Sequence, residues 1–253
     1  LVDAVEEAKK AKENSEKPAK PTDPSEQTGK DGTAVGPGAS IEVAEKAITN
    51  MTSDADPQGS EYSILRLRSP KQTATSIKLS WMKNVKAVKY VIYGNRCGKS
   101  NRPIKLTEVS DTNISDFTFT QIMGKKLRKG TYYKFIIVAI DKDNKVVSTS
   151  KLIHVATKGG KVGNYKSVKV DKSKLNKAKK LKVGKSLKLK AKAVKQSGKL
   201  KVKKHRALEY VSSNKDVATV TKKGVIKAIS KGTCDVYVYA QNGVYKKIKV
   251  VVK

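Results

Sequence analysis

Histidine and cysteine are the side chains most able to do chemistry in this chain, and they are few. The two histidines are His154, in the apolar run 152–156, and His205, in a Lys-Lys-His-Arg stretch. Neither stands in a nucleophile motif such as Gly-x-Ser-x-Gly, so we expect structural or exposed histidines and no catalytic residue. Two histidines and two cysteines also leave almost nothing for a zinc site, and we expect no metal and no cofactor.

The two cysteines differ in their surroundings. Cys234 shares its strand parity with Val236 and is expected to face a core. Cys97 lies in a polar loop with Arg96 and Lys99 beside it, and these cations would favour the thiolate. Cys97 is therefore the candidate for a reactive thiol, with an ordinary loop residue as the alternative. A disulfide between the two is not expected, because its geometry is demanding.

The run Asp141-Lys-Asp-Asn144 places oxygen ligands at alternate positions, as at the start of a calcium loop. It lacks the following glycine and the distal glutamate that an EF-hand requires. We therefore interpret it as a β-turn between two strands.

The candidate binding residues lie on the last two predicted strands. A three-residue loop over 241–243, with Gly243 left-handed, keeps the apolar residues of both strands on one face, whereas a two-residue loop would turn them outward. The outward strip could stack sugars or bases and attract anions, although ordinary cross-strand pairing on a solvent face explains it too. The predicted outward pairs are Tyr239–Tyr245, Tyr237–Lys247 and Asp235–Lys249, which makes Tyr237, Tyr239, Tyr245, Lys247 and Lys249 the candidates.

The elements that must position these residues fall into three parts. Residues 1–57 form an acidic leader, in which short helices at Leu1–Glu13 and Ile41–Asn50 flank a flexible linker rich in Pro and Gly. Residues 58–158 and 165–253 each alternate apolar and polar positions over short runs, joined by a Gly-rich hinge at 159–164. This pattern predicts an all-β fold of two consecutive Ig-like antiparallel β-sandwiches, with a small interface between them.

The first of these modules resembles a fibronectin type III domain over about residues 60–158. The resemblance is carried by Leu79-Ser80-Trp81, by Tyr90-Val91-Ile92-Tyr93 and by the run Leu127–Ala139. It implies that Tyr133 is a corner tyrosine whose hydroxyl bonds upstream backbone, although Lys129 stands where the family has proline. No Arg-Gly-Asp sequence is present, so integrin binding has no support.

The second module resembles a bacterial Ig-like domain of group 2, as found in intimin- and invasin-type proteins. Separated motifs occur in the family order, with Tyr210 where a tryptophan is usual, and they are Lys169–Ser173, Leu181–Leu189, Leu208–Val220, Gly224–Ala228 and Lys231–Thr233. The resemblances imply a non-catalytic extracellular or cell-surface protein of a Gram-positive bacterium. Such modules act as spacers, as adhesive units, or as appendages of secreted enzymes.

Charge narrows the expected partners. The net charge is +33, and residues 159–253 alone carry 28 basic and 4 acidic side chains. Such a charge implies anionic surroundings, and we expect wall polymers or acidic glycans, or a host surface. Nucleic acid is the alternative, but only six of the 55 bases are Arg, which disfavours it. No apolar run of about 18 residues occurs, so membrane insertion is not expected.

The chain begins with Leu1 and shows no secretion signal. We therefore expect a processed form or a fragment of a longer protein. One hypothesis is that it is the C-terminal accessory tail of a larger secreted enzyme. A monomer is expected.

Overall fold

The computed structural model describes residues 27–52, 55–62 and 64–253. The predicted helix at Leu1–Glu13 and the linker as far as Glu26 lie outside these residues. The predicted all-β class is confirmed, because antiparallel sheets build both halves of the described chain. No helix in the described ranges is long and apolar enough to cross a membrane.

The helices and strands fall into two groups. The first group covers the N-terminal part together with the first domain, and the second group is the second domain. The N-terminal part and the first domain contain α1 (Ile41–Thr49), β1 (Arg68–Gln72), β2 (Ile77–Ser80), β3 (Lys89–Arg96), β4 (Ile104–Val109), β5 (Asp116–Phe119), β6 (Gln121–Ile122), β7 (Lys125–Lys126), β8 (Tyr132–Ile140), β9 (Val146–Thr149) and β10 (Ile153–Ala156). The second domain contains β11 (Tyr165–Val170), α2 (Lys172–Ala178), β12 (Ser186–Lys188), β13 (Ala191–Lys195), β14 (Glu209–Ser212), β15 (Ala218–Val220), β16 (Val225–Ala228), β17 (Gly232–Tyr239) and β18 (Tyr245–Val252).

The first domain packs a three-stranded sheet, β1-β2-β5, against a five-stranded sheet in which β8 is central. Inward side chains of both sheets form one core, and Trp81 belongs to it together with Tyr90. The hydroxyl of Tyr133 accepts a hydrogen bond from the backbone N–H of Arg128 at 2.9 Å, which confirms the expected corner tyrosine.

The outer face of the five-stranded sheet is buried as well. Helix α1 begins at its N-cap Ser40, whose side chain accepts from the backbone N–H of Val43, and it lays Ala44 and Ile48 on that face. Val35 and Ala39 pack there too, so the prediction of a flexible linker is wrong for residues 27–40. The physical reason is that β8 is apolar at alternate positions on both faces, and a solvent-exposed outer face would leave a broad apolar patch.

The sequence run 146–157 by itself predicts one strand, but the structure divides it into β9 and β10. Both pair with β8, but at opposite ends of it. Between them the backbone of Glu61 inserts, donating to the carbonyl of Thr149 and accepting from the N–H of Lys151. Ser150, between these two bonds, still donates its N–H to the carbonyl of Ile137 in β8, so Glu61 pairs with the opposite edge of this segment.

The second domain is built from the sheets β14-β17-β18, β12-β16-β15 and β11-β13 around a single core. The alternating run Ser186–Val194 predicts one strand, which the structure breaks at Leu189–Lys190. The predicted alternation is confirmed, because Leu187 and Leu189 are buried while the lysines at 188, 190 and 192 are exposed. The sequence pattern does not predict helix α2, because its seven residues lack an apolar period. In the structure Asp171 caps the helix, and its side chain accepts from the backbone N–H of Ser173.

Candidate functional site

The hairpin of β17 and β18 has the predicted register. Tyr239 pairs with Tyr245, Tyr237 with Lys247, and Asp235 with Lys249. Gly243 has φ +80°, and the backbone N–H of Ala240 donates to the carbonyl of Val244 at 2.9 Å, which closes the three-residue loop. The predicted loop length and parity are therefore confirmed, and the candidate residues do share one face of the hairpin.

That face is nevertheless not a solvent face, and the expectation of an exposed strip is wrong for two of its tyrosines. Tyr237 and Tyr239 retain only 6% and 1% of their exposure, and Tyr245 is half-buried. Tyr62 lies flat on Tyr239, with ring centroids 4.0 Å apart, and the guanidinium of Arg66 lies 4.3 Å from the Tyr237 ring centre. Both covering residues belong to the chain before β1, and no sequence signal links them to this hairpin.

Lys247 and Lys249 remain exposed at the outer end of the strip. The Lys247 ammonium lies 3.4 Å from the Asp235 carboxylate, a diagonal pair instead of a directly opposite one. The five candidate residues therefore lie together. The tyrosines belong to the interface between the two domains, which we call the joint, and the lysines lie at its border.

Arg206 ties the joint together with polar contacts. Its Nη1 lies 2.9 Å from the Asp56 carboxylate and 3.1 Å from that of Glu209, and it donates to the Tyr62 hydroxyl at 3.1 Å. Burial raises the pKa of Tyr62 well above its ordinary value, in spite of the nearby guanidinium. Burial also raises the pKa of Glu209, and its effect exceeds the opposing one of Arg206.

The loop at 241–243 is inserted into the first domain. The carbonyl of Asn242 accepts from the backbone N–H of Ser69, and that of Gln241 accepts from the N–H of His154. A Cβ added to Gly243 would stand 2.1 Å from the Leu67 carbonyl oxygen, so only glycine fits this approach.

The end of the predicted hinge is buried too. The side chain of Asn164 accepts from the N–H of Ala156 at 2.8 Å and donates to its carbonyl at 2.7 Å. The Tyr132 hydroxyl donates to the carbonyl of Gly163 across the same joint. The small interface expected from Gly159 and Gly160 is therefore wrong, because contacts far from the hinge in sequence cover this region.

The histidines and Cys97 meet at this joint. His154 is fully buried on β10, and its ring stacks on that of His205 with centroids 4.7 Å apart and planes 6° apart. Cys97, half-buried just after β3, has its Sγ 3.5 Å from Nδ1 of His154. Nothing in the sequence predicts this meeting, because 57 and 51 positions separate the three residues and no motif joins them.

The remaining candidates have structural roles. Asp141 accepts from the backbone N–H groups of Asp143 and Lys145, so its carboxylate closes the expected β-turn before β9. Cys234 is buried in the second core, as predicted, and Ser212 lies 3.9 Å from its sulfur. Cys97 and Cys234 form no disulfide.

The second domain also carries a depression of about 710 Å³ beside α2. Lysine dominates its lining, which includes Lys174, Lys177, Lys180, Lys182, Lys185 and Lys188. All of these except the half-buried Lys174 are exposed. We call these six residues the lysine depression.

One family model matches the second domain. Residues 164–251 match the family model of the bacterial Ig-like domain (group 2), so the second domain is similar to modules of that kind. No curated protein matches the chain.

Solved structures similar to the chain include the FN5 domain of Drosophila Lar, at 27% identity and a TM-score of 0.29, covering 37% of this chain and 92% of that one. The twitchin kinase region from C. elegans is 17% identical with a TM-score of 0.29, covering 43% of this chain and 18% of that one. A β-1,2-glucanase from Parabacteroides distasonis is 17% identical with a TM-score of 0.28, covering 37% of this chain and 13% of that one. The chain thus spans less than a fifth of the last two proteins.

Proposed function

We propose that the chain is a non-catalytic extracellular module pair that acts as a stiff spacer and binds anionic polymers through the lysine depression. The family of the second domain supports a modular role, and the resemblance of the first domain to fibronectin type III modules agrees with it. The single observation that carries the proposal is the lysine depression itself, because it concentrates cations in a concave surface.

The joint between the domains supports the spacer role. A spacer transmits position only when its modules keep a fixed orientation, and domains joined by a bare hinge do not. Here Tyr62 and Tyr239 stack across the joint, Arg206 bonds Asp56, and the tip at Gly243 is enclosed by backbone. These contacts resist bending better than the Gly-rich hinge alone.

The composition of the lysine depression supports the class of ligand. No ion pair with an acidic side chain is present at these six lysines within the described part of the chain. Flexible ammonium groups bind repeated phosphate or carboxylate groups as point charges, without the planar recognition for which Arg is suited. A linear polymer with regularly spaced anions, such as a polyol phosphate or a uronate glycan, is the expected ligand.

The test compares two triple substitutions with the same change in net charge. Lys177, Lys180 and Lys182 are replaced by Gln in one variant, and the exposed Lys125, Lys126 and Lys129 of the first domain in the other. Binding of purified teichoic acid and of polygalacturonate is measured over a series of salt concentrations. We expect the first variant to lower the slope of log K against log salt by about 2, at roughly 0.7 per lost contact.

The control variant should keep the slope of the unaltered protein. Equal losses in both variants would show that diffuse charge is enough and would overturn the lysine depression as the site. Absence of binding to either polymer would overturn the proposed function. Tighter binding to duplex DNA than to both polymers would favour a nucleic-acid partner instead.

A further inference from the structure

Three potential metal ligands come together where the two domains meet. Cys97 follows β3, His154 lies on β10, and His205 comes from the irregular segment before β14 in the second domain. One ligand atom of each residue lies within 4.8 Å of the other two. Neither domain contains the set alone, so the cluster exists only because the joint is formed.

The distances are close to those of a tetrahedral site. Bonds of about 2.3 Å to sulfur and about 2.0–2.1 Å to nitrogen place the two ligand atoms roughly 3.5 Å apart at a tetrahedral angle. The Sγ of Cys97 lies 3.5 Å from Nδ1 of His154, which matches this spacing without any movement. The His205 ring is parallel to that of His154, so it must turn about its own side-chain torsions to direct a nitrogen at the same ion.

The loop at 241–243 holds the backbone of both histidines in place. Gln241 accepts from the backbone N–H of His154 through its carbonyl and from the N–H of His205 through its side-chain oxygen, at 2.8 and 3.0 Å. One residue of the loop at 241–243 thus holds the backbone of a ligand from each domain.

The positive charges near the cluster have two opposing effects on metal binding. The buried Lys134 donates to the carbonyl of Gly98 at 3.3 Å, and Arg96 and Lys99 flank Cys97. These cations oppose a bound metal ion, but they also favour the Cys97 thiolate that a metal requires. The thiolate contributes a negative charge to the site, which partly offsets the charge of the ion.

We propose that Cys97, His154 and His205 bind a borderline or soft metal ion, Zn²⁺ or Cu⁺, which links the two domains. One thiolate and two imidazoles suit these ions, whereas Ca²⁺ and Mg²⁺ require oxygen ligands. On binding, the Cys97 thiol loses its proton to solvent, a metal–sulfur bond forms, and neutral imidazoles supply the other electron pairs. No oxidation or reduction takes place. Three protein ligands leave a fourth position for water or another small ligand.

The test titrates the full chain with Co²⁺, as a spectroscopic substitute for Zn²⁺, and then displaces it with Zn²⁺ or Cu⁺. We expect one ion per chain and a thiolate-to-cobalt charge-transfer band. Cys97→Ser should abolish the band, and His205→Ala should lower the affinity at least about tenfold, the loss typical even of ligand-orienting changes. Lys204→Ala, at the exposed neighbouring position, is the control and should bind normally.

A second measurement uses the unaltered protein, in case the variants fail to fold. Cys97 is partly accessible and Cys234 is buried, so iodoacetamide should modify Cys97 first, and Zn²⁺ should slow that reaction at least about tenfold. Unchanged alkylation with Zn²⁺ present, a cobalt complex without the thiolate band, or equal affinity in Cys97→Ser would each overturn the proposal. The lysine depression is not involved, so polyanion binding can fail without affecting this result.

Discussion

Removal of the Tyr62 ring is the most direct test of the joint between the domains. Tyr62 is 3% exposed, its ring stacks on Tyr239 at 4.0 Å, and its hydroxyl accepts from Arg206. Truncation of a buried aromatic costs about 3–5 kcal/mol, of which roughly 0.5–1.5 kcal/mol belongs to the ring pair itself. We expect Tyr62→Ala to lower the free energy of unfolding by about 3 kcal/mol, with the loss confined to the coupling between domains.

The assay uses the position of the single tryptophan. Trp81 lies in the core of the first domain, so its fluorescence reports that domain, whereas far-ultraviolet circular dichroism reports both. In urea, the two curves should coincide for the unaltered chain and separate for Tyr62→Ala. Tyr62→Phe is the control, because it keeps the stacked ring and loses only a hydrogen bond to a charged donor, worth about 1.5 kcal/mol.

Two outcomes would refute this account of the joint. One is a loss of less than about 1 kcal/mol in the free energy of unfolding for Tyr62→Ala, since truncation of a buried aromatic ring should cost more than that. The other is a pair of curves that are already separate in the unaltered chain, because the domains would then unfold independently. A smaller separation in Tyr62→Phe than in Tyr62→Ala would confirm that the ring, and not the hydroxyl, carries the coupling.

Two further predictions concern the same joint. Gly243→Ala should destabilise the chain and separate the same two curves, since the added Cβ meets the Leu67 carbonyl at 2.1 Å at a φ of +80°; unchanged urea curves would contradict this. Burial raises the pKa of Tyr132 to about 12 and that of Tyr239 above its ordinary value of 10.0. The folded chain therefore keeps phenolic protons that the unfolded chain loses, so the free energy of unfolding should fall as pH rises from about 10 to 12. Tyr239→Phe should make that fall less steep in urea titrations at a series of pH values. An identical dependence of the free energy of unfolding on pH would contradict the role given to the buried Tyr239 hydroxyl.

The amino-acid sequence determined the local structure of this protein to a large extent. Alternating apolar positions predicted most of the strands, and parity alone predicted the loop at 241–243 and the partners of Tyr237 and Tyr239. These features follow from short-range rules, because a side chain's face in a strand depends only on its position in the alternation. The corner role of Tyr133 came from the resemblance to fibronectin type III domains, and it is also a contact within a few residues.

Only the tertiary structure decided what covers each face. The register of the hairpin shows that its tyrosines point outward, but not that Tyr62 and Arg66 lie over them. In the same way, Cys97 and His205 are far apart in sequence and become neighbours only through the docking of the two domains. The physical reason is that burial between domains depends on the complementarity of whole surfaces, which no periodicity in either strand records.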